Sequence, residues 1–371
     1  MSDFIPFNRD QSFLLPPDLK RWLPEDDLAH FVIAAVERVG LSAFQVKARA
    51  GGKAQYHPRL MLALLIYAYA NGIFSSRRIE RASYRDIGVR FVAANLHPDH
   101  DTIAAFRRAN KVAFEAAFLQ VLLLARESGL LRLGTVSIDG TKIDANASKI
   151  RSVRYDRAKE GRRGRPPAPP DPTPPPERQS NLTDPDSALM RRSKAHEYRQ
   201  AYNAQAVVCA EGTQVILAAG VSTNASDAPG FAATILAMEK TVGLPTVVLA
   251  DTGFASGPAV EELQTRGIDP LVAIGRTQPH RPYDFRPPPE PKPARRITEP
   301  WRIAMKARLE TEDAKALYKL RKQTVEPVFG IIKSAIGFTR FRLRGLRKVA
   351  TEWTLIALAY NCRRIRRLQL A

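Results

Sequence analysis

Three acids stand where their surroundings allow chemistry. The run Gly134-Thr135-Val136-Ser137-Ile138 leads into Asp139-Gly140-Thr141-Lys142, and Thr246-Val247-Val248-Leu249-Ala250 leads into Asp251-Thr252-Gly253-Phe254. Each is a β-branched apolar stretch of strand length closed by one carboxylate and a glycine turn, so each reads as a buried strand that delivers an acid to a sheet edge. A third acid, Glu326, lies between Tyr318 and Lys333 with cations at helix-like intervals, among them Arg321 and Lys322. Carboxylates are hard oxygen ligands, so three brought together predict a divalent site, with Mg²⁺ the expected metal and Mn²⁺ able to substitute. Two such ions roughly 3.5–4 Å apart activate water or a 3′-hydroxyl and stabilise the leaving oxygen of a phosphodiester.

Taken singly, each acid has a plainer reading. Asp139 is then a turn former, Asp251 a cap, and Glu326 the i,i+4 partner of Lys322. Taken together, two acids at strand ends and one on a helix within basic sequence favour the metal site. Asp144 and Asp227 are neighbouring alternatives.

Charge points the same way. Lysine and arginine number 57 against 37 acidic residues in 371, a formal net charge of +20. So basic a chain is built to meet a polyanion. No apolar run is long enough to span a bilayer and no signal peptide is evident, so a cytoplasmic, nucleoid-associated location and no membrane partner are expected. Cys209 and Cys362 are too few for a disulfide framework and read as core residues.

The positioning elements follow in order. Residues 10 to 130 read as helical. Pro24-Glu25-Asp26-Asp27 opens one helix, Pro58 opens a second that stops near Asn71-Gly72, and Phe114 to Gly129 forms another. Asp99 to Asn110 begins with cap residues and then mixes small, apolar and basic side chains, with Ile103 and Phe106 inward and Arg107 and Arg108 outward. It reads equally as the recognition helix of a helix-turn-helix or as an ordinary amphipathic helix. His97 and His100 have the spacing of a zinc pair but no further ligand nearby, which leaves them turn and cap duty. After Asp139 comes a basic, proline-rich insertion over residues 149–182, extended or disordered until a charged partner orders it. Two strands, 202–209 and 214–221, form a hairpin. A helix over 228–242 precedes the strand to Asp251, a helix near 260–264 and a strand over 270–274 follow, and a proline-rich loop occupies 278–295. A helix from about Thr311 carries Glu326, where Pro327 predicts a kink or restart. The last helix, about 346 to 368, is apolar on most sides and ends in Arg363-Arg364-Ile365-Arg366-Arg367.

With these blocks in view the chain resembles the DDE transposases of bacterial insertion sequences. The resemblance rests on Trp22-Leu23-Pro24-Glu25-Asp26, Gly72-Ile73-Phe74-Ser75-Ser76-Arg77-Arg78-Ile79-Glu80, Asp99-His100-Asp101-Thr102-Ile103, Asp139-Gly140-Thr141, Tyr202-Asn203-Ala204-Gln205, Ala250-Asp251-Thr252-Gly253-Phe254 and Val325-Glu326-Pro327-Val328-Phe329-Gly330. It implies an α/β RNase H-like catalytic domain, a mixed sheet with flanking helices, over residues 131–345. An all-helical DNA-binding domain over 1–130 precedes it, and a basic helix over 346–371 packs on it. It also implies that Asp139, Asp251 and Glu326 are the catalytic, metal-binding triad, holding two Mg²⁺ ions. Of the family's Tyr-x2-Arg-x3-Glu-x6-Lys pattern, Tyr318, Arg321, Glu326 and Lys333 keep the first and last intervals. Arg321 stands one residue too far from Glu326, so either Arg321 or Lys322 takes the phosphate contact. Arg77, Arg78, Arg107, Arg108, Tyr318, Arg321, Lys322 and Lys333 are the candidate DNA contacts. The implied partner is double-stranded DNA, at element ends and target, bound by a homodimer or larger synaptic assembly. The implied activity is cleavage at terminal inverted repeats and strand transfer. A transposase-derived DNA-binding protein or repressor without catalysis is the alternative, and a structure-selective nuclease of RNase H type is a third reading.

Overall fold

The computed structural model describes residues 18–45, 55–154, 179–191, 197–275 and 297–370. Most of the basic insertion (155–178) and all of the proline-rich loop (278–295) lie outside the described residues.

The amino-terminal part is helical, as composition and periodicity predict. Helices α1 (Leu28–Glu37), α2 (Pro58–Ala70), α3 (Ser76–Arg85), α4 (Ile87–Val92), α5 (His100–Ala109) and α6 (Lys111–Glu127) follow one another with short connections. Local chemistry sets their ends. Asp27 caps α1 by accepting the Ala29 N–H at 2.7 Å, and Asp99 caps α5 by accepting those of Asp101 and Thr102. Pro58 begins α2, and Gly72, at φ +74°, turns the chain after it.

The rest forms a six-stranded mixed sheet. Strand β1 (Thr135–Asp144) is central. On one side it pairs antiparallel with β5 (Arg199–Cys209), whose far edge is shared by β4 (Ala188–Met190) and β6 (Ile216–Ser222); on the other, β7 (Val247–Ala250) and β8 (Asp269–Val272) add in parallel. A separate pair, β2 (Ser152–Arg154) with β3 (Gln179–Asn181), marks the two ends of the insertion. Helices α7 (Phe231–Leu236), α8 (Gly257–Thr265), α9 (Pro300–Leu309), α10 (Glu312–Gly330) and α11 (Leu346–Gln369) flank the sheet. A continuous hydrophobic core runs from Val32 and Leu65 through Phe114, Val136 and Val207 to Trp353, and a smaller cluster of Ala210, Leu249, Leu271 and Ala314 lies between β7, β8 and α10. Helix α11 joins the parts, packing on α1, α2 and α6 as well as on β6. Its buried Asn361 receives the Ile216 N–H and donates to the Ile216 carbonyl, so it completes the backbone pairing of β6.

Three expectations are corrected. β1 does not stop at Asp139 and Gly140 but runs on to Asp144, because β5 keeps pairing with it as far as Asp144 opposite Ala201. The helix foreseen over 228–242 is a short α7 between two 3₁₀ turns. Pro327 does not break α10. Proline removes the N–H that would have bonded the Gln323 carbonyl, and the Gln214 side-chain amide donates to that carbonyl instead, at 2.8 Å.

Candidate active site

The sheet register brings the two strand acids together. β1 and β7 are parallel neighbours with Ser137 opposite Leu249, so Asp139 and Asp251, each two residues further on, occupy equivalent positions. Burial, then the charge of Asp251, pushes the Asp139 carboxyl up to about 7, against the Gly140 N–H bond and the Arg321 charge that lower it. Asp251 caps the turn that follows β7 by accepting the Gly253 N–H at 2.8 Å.

Helix α10 brings the rest. Its Tyr318 hydroxyl donates to the Ala250 carbonyl at 3.0 Å, which ties the helix to the end of β7. Arg321, 12% exposed, lies between two of the acids: Nη1 is 3.7 Å from Asp139 Oδ2 and Nη2 is 3.3 Å from Glu326 Oε1. Packing separates Arg321 from Lys322: Arg321 is turned to the acids, while Lys322 lies on the exposed side of α10. Lys333, one turn beyond the helix, donates to the Thr141 hydroxyl two residues after Asp139. Among the described residues, no three acidic, histidine or cysteine side chains lie close enough to share a metal ion. The three acids predicted to converge thus meet as a pair, Asp139 with Asp251, and a third, Glu326, joined to Asp139 through Arg321.

One carboxylate at this site was named from the sequence only as an alternative. Asp227 accepts from Asn203 Nδ2 at 2.6 Å and from Lys142 Nζ at 3.2 Å. A Cβ on Gly140 would lie 2.2 Å from its Oδ1, and one on Gly253 would lie 3.1 Å from its Oδ2. Both glycines therefore leave room for the same acid, and a glycine one or two residues behind each strand acid is the trace this leaves in the sequence. Asp144, the other alternative, belongs elsewhere, facing Arg199 at 3.3 Å and Arg340 at 3.9 Å. It lines a cavity of about 690 Å³ shared with Lys149, Arg151, Arg199, Arg340 and Arg344.

In the helical part, Arg77, Arg78 and Arg108 are exposed, but Arg107 is not. It is 6% exposed and donates to the Tyr69 hydroxyl and the Phe74 carbonyl, which withdraws it from any outward-facing role. The predicted pairing of Arg107 with Arg108 placed on one face two side chains that packing divides between core and solvent. His97 and His100 make side-chain contacts to α3, with Ser83 and Glu80, while the cap of α5 is Asp99, and both cysteines are buried. No described helix is long and apolar enough to cross a membrane.

The donor set suits a hard divalent cation, because two carboxylates crowded where one is pushed up to about 7 would be relieved by positive charge. A central strand with an antiparallel hairpin on one side and two parallel strands on the other, and acids at matching positions on β1 and β7, defines an RNase H-like fold. The family follows from the sequence matched to it. A model described as transposase DDE domain matches residues 135–362, and one described as transposase domain (DUF772) matches 17–109, so the chain belongs to the DDE transposases. No curated protein matches it. Among solved structures it is similar to the piggyBac transposase in a cryo-EM synaptic complex with hairpin DNA, at 13% identity over 92% of this chain and 71% of that one, with a TM-score of 0.38.

Proposed function

We propose that this transposase cuts phosphodiester bonds at the ends of a mobile DNA element and joins those ends to target DNA. In this reading the helical amino-terminal region holds duplex DNA, and two copies or more act together on paired ends. The observation that carries it is the meeting of Asp139 and Asp251 at one level of adjacent parallel strands, with Glu326, Arg321 and Lys333 brought to the same edge by α10 and the segment after it. Asp139, Asp251 and Glu326 would hold the divalent ions, Mg²⁺ or Mn²⁺, whose chemistry is to activate the attacking oxygen and stabilise the leaving one. Arg321 is bound to two of these carboxylates, and its charge is suited to a phosphate flanking the cut once they turn to metal. The cationic cavity beyond Asp144 extends the same strand by about 17 Å from Asp139, at about 3.4 Å per residue, within the footprint of a bound duplex.

The Arg321 ion pairs also favour a second reading, a DNA-binding protein whose acids are neutralised internally and which does not cut. Cleavage of labelled element-end DNA with Mg²⁺ or Mn²⁺ separates the two. Site-specific cutting is expected, and it should fall at least about 10³-fold in each of Asp139→Asn, Asp251→Asn and Glu326→Gln. End-specific binding without cutting, unchanged by the three substitutions, favours the second reading.

A further inference from the structure

Helix α3, not α5, carries the cationic face of the amino-terminal region. Its inner side holds Ile79 and Ser83, both fully buried, and Glu80, which bonds His100 Nδ1 at 2.8 Å. The outer side is Arg77, Arg78, Arg81, Tyr84 and Arg85, all exposed. These positions run i, i+1, i+4, i+7, i+8, a single stripe of an α-helix. Among the described residues none of the four guanidinium groups makes a hydrogen bond or ion pair, and no acid lies on that stripe. Glu80 is turned to His100, and Asp86, just beyond, caps α4 by accepting the Val89 N–H at 2.8 Å. Four unpaired cations on one rigid face fit a polyanion and repel one another without it.

Helix α5, which the sequence offers for this role, presents less. Arg107 is buried, Arg108 is left as its one exposed cation, and Asp101 is exposed in its first turn. A carboxylate at the tip of a helix entering DNA faces phosphates with the wrong charge.

The geometry of α3 also suits duplex DNA. Eight residues separate Arg77 from Arg85, about 12 Å along the axis at 1.5 Å per residue, and an α-helix fits a B-DNA major groove about 12 Å wide. The helix is backed by the core through Ile79, and Tyr84 is stacked on His97 with ring centroids 3.9 Å apart and planes 13° apart. The face is thus fixed before binding, which lowers the ordering cost. A bilayer surface is a poor match, since a membrane-lying helix needs an apolar face free to enter lipid and the apolar side of α3 is turned into the core.

We infer that α3 is the helix this protein lays in the major groove, with Arg77, Arg78, Arg81 and Arg85 on phosphates and base edges and Tyr84 beside them. This rests on the reading that duplex DNA is the partner. The test is anisotropy titration of the full-length protein in EDTA, with duplexes of the element terminus and of shuffled sequence, across a salt series. Each phosphate contact contributes about 0.9 to the salt slope, so replacing all four arginines by alanine should lower the slope by about two to four on both duplexes, according to how many of them lie on phosphates; between about 50 and 200 mM salt the advantage of the wild type should then shrink roughly 10- to 100-fold. Arg108→Ala should change the slope by at most about one. The four-lysine variant should keep the slope but lose preference for the terminus, because lysine keeps the charge without the bidentate fork that reads guanine. Unaltered melting of each variant shows that the fold is kept. An unchanged slope in the alanine variant, or terminus preference retained in the lysine variant, overturns the assignment of α3. Absence of any duplex binding by the wild type overturns instead the reading on which it rests.

Discussion

Asp139 is where burial and charge meet most sharply. Its carboxyl is pushed up to about 7 in the folded protein, first by burial and then by Asp251, against an ordinary carboxylate value near 4. A folded-state value above the unfolded one means that the native state holds the extra proton, so metal-free stability is lost as pH rises from about 4 to about 7. Asp139→Asn removes that dependence. Urea unfolding in EDTA should give the variant a stability relative to wild type that increases by on the order of 4 kcal/mol between acid pH and about pH 8. A constant difference across that range would mean that Asp139 ionises as an ordinary carboxylate. Arg321 is the other residue whose place mattered. Spacing alone left it level with Lys322, and the anchoring of α10 by Tyr318 on Ala250 turned it toward the acids.

At the scale of elements, the joint between the helical part and α11 is polar and buried. Glu352, fully buried, accepts from the Tyr69 hydroxyl at 2.7 Å and from the N–H groups of Arg342 and Leu343 at 2.8 and 2.9 Å. Arg107 completes the chain by donating to the same hydroxyl. Glu352→Ala strands three donors and leaves Arg107 without nearby negative charge, so a loss of about 3–5 kcal/mol in unfolding free energy is expected. Glu352→Gln, which keeps an acceptor, should lose less. Equal and small losses for both in a denaturant titration would show that water replaces the carboxylate. None of this is legible in local sequence. Arg107 and Arg108 look alike on a helical wheel, and only the position of Tyr69 on α2 separates them.

For the whole molecule, the continuity of the core sets the expectation. α2 is buried over most of its length and packs on α11, and Arg363 donates to the Ala70 carbonyl at 2.7 Å. A fragment of residues 1–130 therefore lacks the surface that covers α2, and it should unfold without a cooperative transition or associate through the exposed face. Circular dichroism with sedimentation would show this; a monomeric fragment melting sharply would make the helical region an autonomous domain.

Much was fixed by local rules. The β-branched runs ending in Asp139 and Asp251, the capped helices, the hairpin of β5 and β6 and the basic balance are all set by period, caps and composition, and they suffice for a mixed sheet behind a helical region. What only the tertiary structure decided are matters of partnership. Strand β1 passes through Asp139 because β5 continues beside it, and α10 passes through Pro327 because Gln214 takes up the freed carbonyl. Asp227 joins the acid pair because Gly140 and Gly253 leave it room, and Arg107 is parted from Arg108 because the Tyr69 hydroxyl and the Phe74 carbonyl draw it into the core. A sequence states which groups a chain carries and at what period. Which of them face each other depends on contacts between residues far apart in the chain, and no local pattern encodes those.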